Sequence, residues 1–164
     1  MKLLIMILIL LFQSLSAANY DTTLIKSRTN IAGSLAGPSL ISFHIEYQAP
    51  INEYLFIAMS TGVGYQEEFR FFDRNNVRTY ATIPNQLSLN FGNYQHSAEV
   101  GLGLLTVINA NQTFVPYTEI AYRYQPKIEP GKPLFRIYFA LPYGRKDVNE
   151  IFFIPFGFSI GIFL

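Results

Sequence analysis

The sequence predicts an all-β fold, an antiparallel, up-and-down transmembrane β-barrel of eight strands. Three observations point to it. The chain is 50% hydrophobic and 16% aromatic, with 15 Phe and 11 Tyr, yet beyond its first residues it holds no second long apolar run. Only 14% of residues are charged, where a soluble domain carries about 25%. Strand-length segments alternate apolar with small or polar residues, with turn residues between them and no sustained helical period. A closed barrel facing lipid suits such a chain, because each strand satisfies its backbone through its neighbours.

The first residues set the compartment. Lys2 precedes the apolar run Leu3–Phe12, and small or polar residues follow at Gln13, Ser14, Ser16, Ala17 and Ala18. That order fits a secretory signal peptide, and the run is too short for a spanning helix of roughly 20 residues. Cleavage after Ala18 puts Ser16 and Ala18 at the two small-residue positions; cleavage after Ser16 or Ala17 is the alternative. The expected organisation is therefore a signal peptide over 1–18 and a barrel over 19–164. With no Cys, a lipid-modified N-terminal cysteine, disulfides and thiolate metal ligands are excluded. Without Lys2 the chain has 11 basic and 11 acidic residues, so no basic excess points to nucleic acid.

The strands follow in order. The first is expected around Arg28–Leu35, with Ala36-Gly37-Pro38 as its turn; an even strand number requires it, although Gly33 and Ser34 weaken its pattern. Six or ten strands are the alternatives to eight. Ser39–Gln48 places Ile41, Phe43, Ile45 and Tyr47 outward against Ser42, His44, Glu46 and Gln48. Tyr54–Gln66 places Leu55, Ile57, Met59, Val63 and Tyr65 outward, with Ala58, Ser60, Gly62 and Gly64 inward. The polar, five-charge stretch Gln66–Val77 reads as a loop. Thr79–Phe91 is a strand in which Pro84 predicts a bulge or bend. Ser97–Ile108 turns Glu99, Gly101 and Gly103 inward, and Phe114–Gln125 does the same with Glu119, Ala121, Arg123 and Gln125. Leu134–Leu141 sends Arg136 and Tyr138 inward. Phe152–Leu164 alternates Phe156, Phe158, Ile160, Ile162 and Leu164 against Gly157, Ser159 and Gly161. The longer connections, Gln66–Val77 and Tyr143–Glu150, share one end with Asn109–Gln112, which is expected to be extracellular.

The runs Ser42–Tyr47 (SFHIEY), Gly62–Tyr65 (GVGY), Glu99–Gly103 (EVGLG), Tyr122–Pro126 (YRYQP), Phe135–Ile137 (FRI) and Pro155–Gly161 (PFGFSIG) follow one another at strand-length spacing. Together, from about residue 30 onward, they resemble a family of small, largely uncharacterised outer-membrane β-barrel proteins of Bacteroidota. The resemblance implies an outer-membrane barrel and no particular activity. The chain departs from the pattern in its less regular first hairpin and in ending on Leu164, where barrel assembly signals end in Phe or Trp.

Glu46, Glu99, Glu119, Arg123 and Arg136 share the inward parity on four strands. An eight-stranded barrel is only wide enough to be filled by side chains, so charges there must pair. A filled structural core is the expectation; a proton or ion path is the alternative. Ser42, His44 and Glu46 are the residue types of an acyl-transfer triad, but i and i+2 on a strand point in parallel, so no catalytic residues are assigned. His96 and Ser97 sit beside a turn, and two His without Cys make no metal site. Gly62/Gly64 and Gly101/Gly103 are followed by no helix, which rules against phosphate loops. Asn111-Gln112-Thr113 fits a glycosylation triplet that is common by chance. Phe69, Arg70, Phe71, Phe72 and Arg74 form the candidate binding loop, with an aromatic girdle as the plainer reading. The expected function is a non-enzymatic small barrel without a cofactor, located in the outer membrane with a structural or accessory role. Its partners would be membrane lipids and a larger outer-membrane assembly. A lipid-modifying acyl hydrolase and a narrow channel are the alternatives.

Overall fold

The computed structural model describes residues 27–68, 78–93, 95–108, 110, 114–126, 129–143 and 153–164. Its strands are β1 (Arg28–Ala36), β2 (Ile41–Asn52), β3 (Leu55–Glu67), β4 (Thr79–Gly92), β5 (His96–Val107), β6 (Phe114–Tyr124), β7 (Pro133–Pro142) and β8 (Phe156–Phe163). Each pairs antiparallel with its sequence neighbours, and β8 returns to β1, closing an eight-stranded up-and-down barrel. The expected signal peptide, the loop residues Phe69–Arg74 and the triplet Asn111–Thr113 lie outside the described residues.

The period-two alternation of the sequence becomes an inside and an outside. On β2, Ile41, Phe43, Ile45 and Tyr47 are exposed, while Ser42, Glu46 and Gln48 are buried. On β8, Phe156, Phe158, Ile160 and Ile162 are exposed, and Gly157, Ser159, Gly161 and Phe163 are buried. The irregular β1 is held by continuous pairing on both sides, Arg28↔Gln48 to Leu35↔Ile41 with β2 and Asn30↔Phe163 to Ala36↔Gly157 with β8. The Phe43 ring leans over Gly33, supplying the apolar cover that the glycine lacks.

Two details differ from the sequence expectation. Pro84 makes no bulge. The β3–β4 register runs from Thr61↔Asn85 to Gly64↔Thr82 without a shift, only with unpaired positions between, and Pro84 itself pairs with Leu105 on β5. The register shift lies instead between Pro50 and Asn52 on β2, beside the turn into β3, where an extra residue is easily absorbed. Next to this bulge Leu55, expected outward, is 8% exposed, and its neighbour Phe56 is also buried.

Apolar side chains are buried toward both ends of the interior. At the end carrying Arg28 and Leu164, Phe56, Leu134 and Phe163 are buried. At the opposite, loop end, Tyr80, Leu105, Val107, Val115, Tyr117, Tyr138 and Ala140 form one cluster. Inward glycines make room for its rings: a Cβ at Gly103 would strike Tyr117, and one at Gly157 would strike Tyr138.

Tyr138 also supports the β1–β2 turn. Its hydroxyl donates to the Ala36 carbonyl at 2.8 Å, and its ring lies against Gly37, whose φ is 87°. Gly131, at φ 76°, has nothing near the place of a Cβ. Gly131→Ala should therefore cost only the left-handed penalty of about 1–2 kcal/mol. Gly37→Ala should cost clearly more, because it must also displace Tyr138. Denaturant midpoints of the two variants check this, and equal losses would mean that Tyr138 does not brace the turn.

Candidate functional site: the interior charge network

The barrel interior carries its charges in the middle, between the two apolar ends. Arg123 on β6 is 0% exposed. Its Nη1 donates to Glu46 Oε1 at 2.5 Å and its Nη2 to Glu46 Oε2 at 2.8 Å, a two-pronged grip on a carboxylate from β2. The same Nη2 reaches Glu99 Oε2 on β5 at 3.0 Å. Arg136 on β7 takes Glu99 from the other side, through Nε to Oε2 at 2.9 Å and Nη2 to Oε1 at 2.8 Å, and also pairs with Glu119. Glu99 is thus shared by both guanidiniums, and all five residues singled out by inward parity lie in one connected network.

Amides add further donors to the same carboxylates. Asn30 Nδ2 and Gln48 Nε2 donate to Glu46 Oε1 at 2.8 and 2.9 Å. Gln48 also donates to Gln125 Oε1 at 3.0 Å, spanning β2 to the end of β6. Gln86 on β4 bridges two carboxylates, reaching Glu119 at 2.9 Å and Glu99 at 3.2 Å. The guanidiniums face aromatic rings, Arg123 lying 5.9 Å from the Phe56 centroid and Arg136 5.0 Å from that of Tyr138. Asn30 and Gln86 extend the network beyond the charges that parity identifies. Their signal in the sequence is the same inward alternation along each strand, read for amides as well as for charges.

Between the network and the loop end lies a cavity of about 20 Å³, lined among others by Ser34, Ser42, His44, Gln86, Glu119 and Tyr138. That is room for about one water molecule. The candidate triad does not assemble there. Glu46 is engaged by Arg123, Asn30 and Gln48, and the His44 ring meets Ser34 Oγ on β1 at 3.4 Å. His96 and Ser97 point to opposite sides of the wall: Ser97 is buried, and His96 is exposed, with Nδ1 2.5 Å from the Tyr122 hydroxyl. The candidate binding loop, Phe69, Arg70, Phe71, Phe72 and Arg74, lies outside the described residues.

Comparison with protein-family models, with curated proteins and with solved structures finds no match. The chemistry of this interior therefore rests on its own geometry.

Removing one member of a buried ion pair strands its partner, at a cost of about 3–5 kcal/mol. Arg123→Leu leaves Glu46 without its guanidinium and should lower stability by that order. Adding Glu46→Gln removes the stranded charge and should restore part of the loss. Denaturant melts of the single and double variants measure the coupling, and strict additivity would mean that the two residues do not depend on each other.

Proposed function

We propose that this chain is an outer-membrane β-barrel that crosses the bilayer as a sealed structural or accessory element, neither pore nor enzyme. The observation that carries this reading is the inversion of polarity. Arg123 is fully buried, while Phe43, Leu102 and Ile137 are 68%, 65% and 65% exposed. A protein dissolved in water hides the second kind of residue before the first, and contiguous exposed apolar surface on this scale marks contact with lipid or protein. Strand length fits as well. A barrel strand needs about 9–11 residues to cross hydrocarbon. Seven of the eight strands span 9–14 residues, and β8 spans eight. Outward aromatics gather toward the two ends, as with Tyr54, Phe91 and Phe135 at one and Tyr65, Phe114 and Tyr143 at the other, in keeping with interfacial girdles. The export signal read over 1–18 and the family resemblance support the same compartment.

A sealed role is favoured over a channel by the filled interior. Buried apolar side chains flank a network in which Arg123, Arg136, Glu46, Glu99 and Glu119 are all paired, and the interior cavity is about 20 Å³. An acyl hydrolase is disfavoured because the Ser42, His44 and Glu46 side chains lie inside the barrel, with Glu46 held by Arg123. Lipid is then the first partner, and an accessory role would act through the outer face or the loops.

Arg at a mid-bilayer, lipid-facing site costs about 2–4 kcal/mol, falling toward zero at the interface. In vesicle refolding, Ile160→Arg on β8 should shift the denaturant midpoint strongly and Leu164→Arg only slightly. If Ile160→Arg refolds like wild type, the wall does not face hydrocarbon. Planar bilayers containing the wild-type protein should show no discrete conductance steps.

A further inference from the structure

The apolar outer wall is interrupted at its middle. Thr61 is the seventh of 13 residues in β3 and Asn85 the seventh of 14 in β4; they pair across the two strands and face outward, next to the apolar pair Met59↔Leu87. Thr61 Oγ1 donates to Asn85 Oδ1 at 2.8 Å, and Asn85 Nδ2 donates to the Ile83 carbonyl at 3.3 Å. That carbonyl lies where the β3–β4 pairing lapses, between Thr61↔Asn85 and Gly64↔Thr82. Among the described residues, Asn85 is the only amide side chain on the outward face away from the strand ends.

A side-chain amide has two N–H donors and two acceptor sites on its oxygen. The two bonds above use one of each, leaving one donor and one acceptor on the same outward group. At mid-wall in a bilayer no water satisfies them, and neither does an acyl chain. The group that offers one donor and one acceptor in matching geometry is another amide. In a twofold contact the same patch meets itself, so a second copy brings that amide to the right place. Two shallow apolar grooves of about 690 and 720 Å³ meet at Thr61 and Ile45, one reaching Leu102 and Leu104, the other Val63 and Ile160. They give a copy centred on the axis apolar surface to pack against, and small or polar residues are what membrane interfaces use where packing alone must hold segments together.

We propose that the Thr61–Asn85 pair is the centre of an intramembrane interface between two copies of this chain, joined by amide–amide hydrogen bonds across a twofold axis. This rests on the membrane-spanning reading above. β7, which lines neither groove, faces lipid.

The chain has no Cys, so single cysteines report proximity cleanly. Met59→Cys, beside the pair and 57% exposed, is compared with Ile137→Cys on β7, 65% exposed. The full chain is refolded into dilute phosphatidylcholine vesicles and oxidised. Flotation with the vesicles is scored first, since failure to float overturns the membrane reading itself and is distinct from failure to dimerise. Among floating protein, Met59→Cys should give a cross-linked dimer and Ile137→Cys should stay monomeric. Adding Asn85→Leu should weaken dimerisation by about threefold to thirtyfold, the range of one interhelical polar contact in membranes, and leave the folded band on gels intact. Sedimentation of the wild-type protein in a density-matched detergent, expected at twice the chain mass, gives a measure that needs no variant. Equal cross-linking at both sites, a dimer indifferent to Asn85→Leu, or a monomeric wild type each overturns the proposal. So does a Met59→Cys product in native membranes whose mass is not twice the chain, which would name a different partner for the same notch.

Discussion

The Arg123 guanidinium, buried between Glu46 and Glu99, is the contact on which the rest of the interior depends. Backbone ladders join each strand only to its neighbours. Arg123 joins β6 to β2 and β5, Arg136 joins β7 to β5 and β6, and the amides of Asn30 and Gln86 draw in β1 and β4. Six strands are tied across the barrel in this way. The two that contribute no member, β3 and β8, carry Ala58, Ser60, Gly62 and Gly64, and Gly157, Ser159 and Gly161, on their inward sides. Long side chains on one set of strands and small ones on the other are complementary halves of one packing solution, in a space that eight strands leave only just wide enough to fill.

The same network fixes the register. A slip of one residue on a strand exchanges its faces. For β6 that would turn Arg123 and Glu119 to the outside and bring Ile120 and Tyr122 within. The cost would fall twice, on charges displaced to an apolar wall and on partners left behind unpaired, each worth several kcal/mol. Glu99 makes the penalty cooperative, because it answers to both arginines. Buried ion pairs are a poor source of net stability, yet here they discriminate sharply between one pairing of strands and its neighbours.

Much of this was legible in the sequence because one rule, period two, governs both faces. Glu46, Glu99, Glu119, Arg123 and Arg136 could be placed inside from parity alone; seven strands follow from the same alternation, and β1 near Arg28 from the need for an even number. What escaped were places where the alternation breaks. Leu55–Phe56 and Leu104–Leu105 are adjacent apolar pairs, so parity assigns one member outward without revealing that the other plugs an end. Pro84 falls inside an expected strand and Pro50 between two, yet β2 runs on through Pro50 to Asn52 and the register shifts there. Pro84 sits mid-wall, where pairing to β5 holds the register, whereas Pro50 lies beside a turn that can absorb an extra residue. Asn85 does not stand out in the sequence, because a single polar residue on an apolar face is invisible to a count of alternation, although Thr61 stands directly across from it.

The interior and the outer wall differ in what they can do cheaply. Opening a path through the barrel requires Arg123 to release Glu46 and Glu99, and breaking a buried pair costs about 3–5 kcal/mol. At 1.4 kcal/mol per tenfold, that alone holds an open state to somewhere between about one molecule in a hundred and one in several thousand. Arg136 and the apolar ends must also move, which multiplies the penalty, and each step exposes a charge that nothing nearby compensates. The outer wall bears no such lock. A partner can meet Thr61 and Asn85 without disturbing a single bond of the network, since Gln86, the next residue on β4, faces the other way and holds Glu119. One strand thus serves both sides of the wall at adjacent positions, Gln86 bracing the interior and Asn85 standing where the proposed contact would form.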